Sequence, residues 1–232
     1  MSEIIDIMGK FDWTPFWISL KTGVVATIIC FFLGIWAARK VLKLGPKSRA
    51  AVDSILSLPM VMAPTVAGFF LLLLFSLKRP VGNFLYTQLN IQIVQTWAGC
   101  VIAASVIAFP LMYRNARAAF EMLDPDIVYA ARTLGMSETK LFWKVVIPSC
   151  GPGVASGTVL TFARALGEYG ATSMLAGNIA GKTGTISQRI ANVIKDGDYL
   201  TAGVWVIIML VIAGFIMAAI NFISGRKAQR RW

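Results

Sequence analysis

Histidine is absent from this chain, and carboxylates are scarce, with 11 Asp and Glu against 22 Lys and Arg. The commonest metal ligand, and the side chain best suited to acid–base work near neutral pH, is therefore missing. The three cysteines, Cys30, Cys100 and Cys150, show no C-x-x-C spacing. They read as small apolar residues, with no disulfide framework and no metal site. Charge of either sign makes up only 14% of the chain, where soluble domains carry about 25%. The charges are also clustered, and long uncharged runs lie between them.

What fills those runs is apolar. The chain is 57% hydrophobic, with a mean hydropathy of +0.70. That is a membrane protein by composition. A net charge of +11 would suggest nucleic acid in a soluble protein. Here basic loops that fix membrane orientation explain it better. The N-terminus carries Glu3, Asp6 and Asp12 before its first apolar run, unlike the basic start of a cleavable signal peptide, so the first span is expected to be retained.

A spanning helix needs about 20 mostly apolar residues. Five stretches qualify: Phe16–Ala38, Ile55–Leu77, Ile93–Met112, Gly153–Leu175 and Gly203–Ile223. Pro59 and Pro64 should kink the first half of the second. Fourteen basic residues fall in one alternating set of loops: Arg39 to Arg49, Arg114 to Lys144, and Arg226 to Arg231. Seven fall in the other set, among them Lys10, Lys21, Lys78 and Lys182. The positive-inside rule then puts the N-terminus outside, the C-terminus in the cytoplasm and the 113–152 loop in the cytoplasm. No internal repeat, low-complexity tract or soluble-domain boundary is visible. Residues 1–232 read as one all-α membrane domain with a core over 16–224.

The loop over 124–148 has helical signals of its own. Asp124-Pro125-Asp126 is an N-cap followed by proline at the first helical position. The helix should run through Ala130, Ala131 and Leu134, and Gly135 can end it in the left-handed conformation. Ser137 can cap a second helix with an apolar face of Leu141, Phe142, Val145 and Val146, which Pro148 should stop. Two short helices at a glycine turn also imitate a DNA-binding helix-turn-helix. Against that rival, each end runs within a few residues into a span.

Ala130-Ala131-Arg132-Thr133-Leu134-Gly135, followed by Ile147-Pro148, resembles the EAA motif of ABC importer permeases. In that family the loop is a coupling helix that docks into a cleft on a cytoplasmic ATPase. The resemblance implies ATPase-coupling roles for Tyr129, Ala130, Ala131, Arg132, Leu134, Gly135, Ile147 and Pro148. Tyr129 departs from the pattern, standing where the family often has Glu, so no salt bridge of that Glu is carried over. Small side chains at Ala130, Ala131 and Gly135 permit close docking; they would equally let the loop pack on its own membrane domain.

The resemblance extends over roughly residues 16 to 224 and is strongest to molybdate permeases. It is carried by Gly157-Thr158-Val159-Leu160-Thr161-Phe162-Ala163-Arg164-Ala165-Leu166-Gly167-Glu168-Tyr169-Gly170-Ala171-Thr172, by Asn178 to Thr183, and by Leu58-Pro59-Met60-Val61. Tungstate and sulfate permeases share parts of it. The resemblance implies a homodimer with one translocation path, an extracytoplasmic oxyanion-binding protein and two ATPase subunits. ATP and magnesium would bind those partners, leaving this chain without a cofactor, a catalytic residue or a nucleic-acid partner. Five spans make thin walls for a channel, which also favours an oligomer.

On one continuous helix, Gly157, Thr161, Arg164, Glu168 and Thr172 would share a small or polar face. Charges inside a span usually face protein or water and are often paired. That face either lines the translocation path, with Arg164 offering positive charge to an oxyanion, or glues helices together. Downstream, Gly177-Asn178-Ile179-Ala180-Gly181-Lys182-Thr183 imitates a phosphate-binding P-loop but is one residue short, Ala176 holding the needed glycine position. It should also lack the strand such a loop follows. Nucleotide energy must then come from another subunit, and the exterior stretch from Gly177 to Asp198 is free either to contact a delivering protein or to remain a solvated loop. A secondary transporter would show inverted repeats with matching broken helices, and only the second span is proline-broken.

Overall fold

The computed structural model describes residues 12–228, with side chains described to 218. Glu3, Asp6, Lys10, Arg230 and Arg231 therefore lie outside the described residues, as do the side chains of Arg226 and Lys227. All regular structure among the described residues is helical. In chain order the helices are α1 (Thr14–Val41), α2 (Pro46–Val61), α3 (Pro64–Phe75), α4 (Pro80–Leu89), α5 (Trp97–Glu121) and α6 (Pro125–Thr133). They continue as α7 (Glu138–Ser149), α8 (Gly151–Leu166), α9 (Gly170–Leu175), α10 (Ile186–Lys195) and α11 (Tyr199–Ala228).

Three helices, α1, α5 and α11, are long and apolar enough to cross a membrane alone, and the count reaches 5 if each of two bent pairs forms one span. The centre of the bundle is the crossing of α1 and α5, against which α8 packs. Small residues let these backbones approach. Ala26, Cys30, Ala37 and Ala38 on α1 and Ala104, Ala108 and Ala116 on α5 are all buried in one cluster. A β-carbon on Gly34 would lie 2.8 Å from Met112 Cγ and 3.1 Å from the Tyr113 backbone nitrogen. Close packing of this kind replaces the hydrophobic driving force that lipid removes.

The expected second span is two helices. Met62 and Ala63 are extended, and α2 and α3 meet at 108°. Pro64 forces this, because the residue before a proline is driven out of the helical region, whereas Pro59 stays inside α2. The expected fourth span also ends early: α8 stops at Leu166 and α9 begins at Gly170. Residues 93–96 precede α5 as a turn with Gln95 at φ 60, so the third span starts at Trp97 and runs on to Glu121. The first and fifth expected spans fall within α1 and α11. Helices α4 and α10 occupy stretches expected to be loop. α10 opens with a full capping box, in which Thr185 Oγ accepts from Gln188 N and Gln188 Oε1 accepts from Thr185 N.

Candidate functional site

Asp124 caps α6 by accepting from Asp126 N at 2.9 Å, and Pro125 occupies the first helical position. The helix ends at Thr133, and Gly135 follows at φ +74, where a side chain would be strained. Ser137 starts α7 but makes no side-chain cap. Pro148 does not stop this helix. It lies inside the last turn, after a π-helical segment over Phe142–Val146 in which Ile147 N bonds Phe142 O. A proline has no N–H to give the carbonyl four residues back, and the wider turn accommodates that loss. The chain then bends by 77° into α8.

The loop residues divide by direction. Leu141, Phe142 and Val146 are buried against α1 and α5, and Ala131 joins the same cluster at 5% exposed. Ala130, Gly135 and Pro148 are exposed, Ile147 is half-buried, Tyr129 is 60% exposed and Leu134 is 82% exposed. Arg132 Nε donates to Glu138 Oε1 at 2.8 Å, clipping α6 to α7 across the glycine turn. That hydrogen bond, aided by the charges of Lys43 and Arg39, holds the Glu138 carboxyl below its usual value; it correspondingly raises Arg132. Arg39, on α1, lies 4.2 Å over the Phe142 ring and donates to Glu138 O at 3.3 Å. Sequence reasoning missed Arg39 here. Its partner is 99 positions away, and no local pattern signals such a contact.

The five-residue face on the expected fourth span is not one helical face. Gly157, Thr161 and Arg164 lie on α8, Glu168 lies in the break, and Thr172 lies on α9. Gly167 caps α8, and Tyr169 takes a non-helical φ of −127°. Glu168 stitches the break together: Oε2 accepts from Arg164 Nη1 at 2.7 Å and Oε1 accepts from Ala171 N at 2.8 Å. Gly157, Thr161, Glu168 and Thr172 are buried inside the protomer. A β-carbon on Gly157 would lie 2.6 Å from Asn115 Cβ. Thr161 Oγ donates to Gly157 O at 2.7 Å and Thr172 Oγ to Tyr169 O at 3.0 Å. Only Arg164 keeps substantial exposure, at 34% of its side chain.

The P-loop imitation follows α9, a helix, in place of a strand. Thr183 is fully buried. Its hydroxyl accepts from Ile179 N at 2.9 Å, and the buried Gln188 donates to Gly177 O at 3.0 Å. The loop is thus held by its own polar groups, and Ser19 of α1 accepts from Ile186 N at 2.8 Å. Gln188 and Ser19 were also missed, although the Thr185-to-Gln188 capping box was a readable signal.

A second polar cluster lies between α2 and α5. Tyr113 Oη donates to Asp53 Oδ1 at 2.9 Å. Arg117 pairs with Asp53 and with Glu121, and Arg49 also pairs with Glu121.

The family described as "Binding-protein-dependent transport system inner membrane component" matches residues 30–230. The chain belongs to this family. It is a multi-pass inner-membrane permease of the ABC importer type. It is 36% identical over 215 residues to the provisionally named molybdenum transport system permease protein YvgM of Bacillus subtilis, covering 93% of each chain. It is 38% identical over 189 residues to the molybdenum transport system permease protein ModB of Escherichia coli K12, covering 82% of each. The sulfate transport system permease protein CysT of Salmonella typhimurium is 29% identical over 243 residues, with 99% of this chain and 87% of that one covered. Among solved structures, a bacterial ABC transporter that imports the acidic polysaccharide alginate aligns at TM-score 0.71 with 17% identity, covering 97% of this permease and 83% of that chain. The inward-facing MetNI methionine transporter aligns at 0.69 with 16% identity, covering 90% and 92%. These likenesses establish the importer-permease fold.

Proposed function

We propose that the permease carries molybdate across the inner membrane as a homodimer driven by a separate ATPase. The observation that carries this reading is the 36–38% identity to two molybdenum permeases along nearly the whole of each chain. Sulfate is the second reading, favoured by the relationship to the sulfate permease at 29% identity over 99% of this chain; tungstate shares molybdate's tetrahedral dianionic chemistry.

In this reading the N-terminus is outside, the C-terminus and the 124–148 loop are cytoplasmic, and 1–232 is one membrane domain. Tyr129, Ala130, Leu134 and Gly135 form the exposed ridge that an ATPase cleft receives. Ala131 braces it from within, Arg132 clips it to α7 through Glu138, and Ile147 and Pro148 transmit its movement through the bend into α8. ATP and magnesium bind the ATPase. An oxyanion-binding protein delivers substrate to the opposite face, near the 177–198 segment. Arg164 is the charged group of the α8–α9 region with access to a path at the dimer interface. Gly157, Thr161, Glu168 and Thr172 act behind it, setting helix spacing and holding its guanidinium.

The test is uptake of radiolabelled molybdate by the permease reconstituted with its ATPase and binding protein. Competition should be strong with tungstate and weak with sulfate. Sulfate uptake without molybdate uptake would replace the first reading by the second.

A further inference from the structure

A cleft of about 530 Å³ opens between α1 and α7, lined by Phe32, Trp36 and Arg39 on one side and Phe142 and Trp143 on the other. Its walls are apolar, and two tryptophans stand at its mouth, Trp36 at 61% and Trp143 at 48% exposed. Tryptophan collects at the membrane–water boundary because its ring is apolar and its N–H is not. Cations surround the same mouth. Lys40 lies 5.9 Å from the centre of the Trp36 ring, Arg39 lies over Phe142, and both Arg39 and Lys43 act on Glu138 beside the cleft. Lys140 and Lys144 flank Trp143 in sequence and are exposed.

An apolar slot in the bilayer, an indole boundary and a ring of cations just beyond it match the three parts of an anionic phospholipid. We propose that this cleft binds one such lipid, an acyl chain between Phe32 and Trp143 and the phosphodiester on Arg39, Lys40 and Lys43. Basic pockets between membrane helices recognise anionic head groups in this way. Arg39 uses one Nη for Glu138 O, and a guanidinium has five N–H donors, so others remain for phosphate.

Charge decides against a second copy of the chain as occupant. Asp53, Glu121, Glu138 and Glu168 are already ion-paired within the protomer. Of the other carboxylates among the described residues, Asp12, Asp196 and Asp198 lie on the opposite face in the proposed orientation, leaving only Asp124 and Asp126 at the start of α6. A partner with a net charge of +11 brings mostly further cations to the patch. The bound lipid would sit against Phe142 and Trp143 on the helix that leads from the exposed ridge into α8, so lipid charge would reach the loop that partners grip.

The experiment is tryptophan quenching in the full-length permease, reconstituted in phosphatidylcholine with a minor fraction of brominated lipid. Brominated phosphatidylglycerol should quench more than brominated phosphatidylcholine at the same fraction. Trp36→Phe with Trp143→Phe should abolish the difference. Lys40→Gln and Lys43→Gln, both at exposed positions, should each lower the preference about five-fold, as expected for the loss of one surface cation. Equal quenching by the two lipids overturns the proposal. So does a preference that survives in the double tryptophan variant, or shielding of both tryptophans from either lipid, which would show that a second copy fills the cleft.

Discussion

Arg164 and Glu168 face each other at 2.7 Å across the end of a helix, not along one. The four-residue spacing suggests a continuous helix, yet α8 has already stopped at Leu166. Glu168 is thus shared between the last turn of α8 and the first N–H groups of α9. Its side chain is 1% exposed while that of Arg164 is 34% exposed. The pair is a buried anion held by a cation that reaches outward.

Removing either partner should cost stability, and removing the cation should cost more, because it leaves the buried charge unpaired. Glu168→Ala is expected to lower stability by about 1–3 kcal/mol through the orphaned Ala171 N–H and the unpaired guanidinium. Thermal unfolding of the detergent-solubilised permease checks this. Arg164→Gln strands the buried Glu168 carboxylate without its counter-charge, so it should cost stability as well, by about 3–5 kcal/mol, and reduce uptake; near-normal uptake would remove Arg164 from any path.

The exposed ridge predicts a separation of stability from association. Leu134 is 82% exposed, so Leu134→Ala should leave the melting temperature of the isolated permease unchanged. Co-purification with the ATPase should weaken. Ala131→Leu should do the reverse at first, since Ala131 is packed in the core cluster and overpacking typically costs about 1–3 kcal/mol. Gly135→Asn, which tolerates the left-handed conformation, should retain more coupling than Gly135→Val.

Close contact between α3 and α9 rests on Gly68. A β-carbon there would lie 2.6 Å from Ala171 Cα, a backbone atom that cannot rotate aside. Gly68→Ala should force the two helices apart and lower both expression and thermal stability. Gly45→Ala, with nothing within 4 Å of its added carbon, is the matched control.

The Arg132–Glu138 clip should persist at neutral pH and fail only in acid. The bond from Arg132 depresses the Glu138 carboxyl, so the clip's contribution is present above the ordinary glutamate value. It is lost as pH falls through the lowered folded-state value. Spin labels at Thr133 and Lys140 should report a fixed distance until that point and a broader distribution below it. Glu138→Gln should remove the acid transition.

The start and end of the first helix in the 124–148 loop were legible because capping chemistry is local. Asp124, Pro125 and Gly135 each sit where their side chains or their freedom at positive φ demand. The membrane class was legible because long apolar runs have few other uses. The breaks within spans were harder. Pro64 announced one, but the bend at Met62-Ala63 is far larger than a kink within a helix. The end of α8 depends on Glu168 choosing the Ala171 N–H, a choice that spacing does not reveal. Spacing brought Arg164 and Glu168 together correctly but put Thr161 and Thr172 on a common face they do not share. Arg39 and Phe142 meet only through the tertiary fold, which brings the end of α1 to α7.

Among the α2 residues, none is buried. Val52 and Leu56 pack only partly against the core, and ion pairs from Arg49 and Asp53 to α5 supply much of the attachment. A helix fastened in that manner responds to dissolved salt, because screening weakens charge pairs that solvent can reach and spares apolar contacts. Ionic strength at the membrane surface should then set how readily α2 swings on the Met62-Ala63 joint, while α3 stays seated on α9.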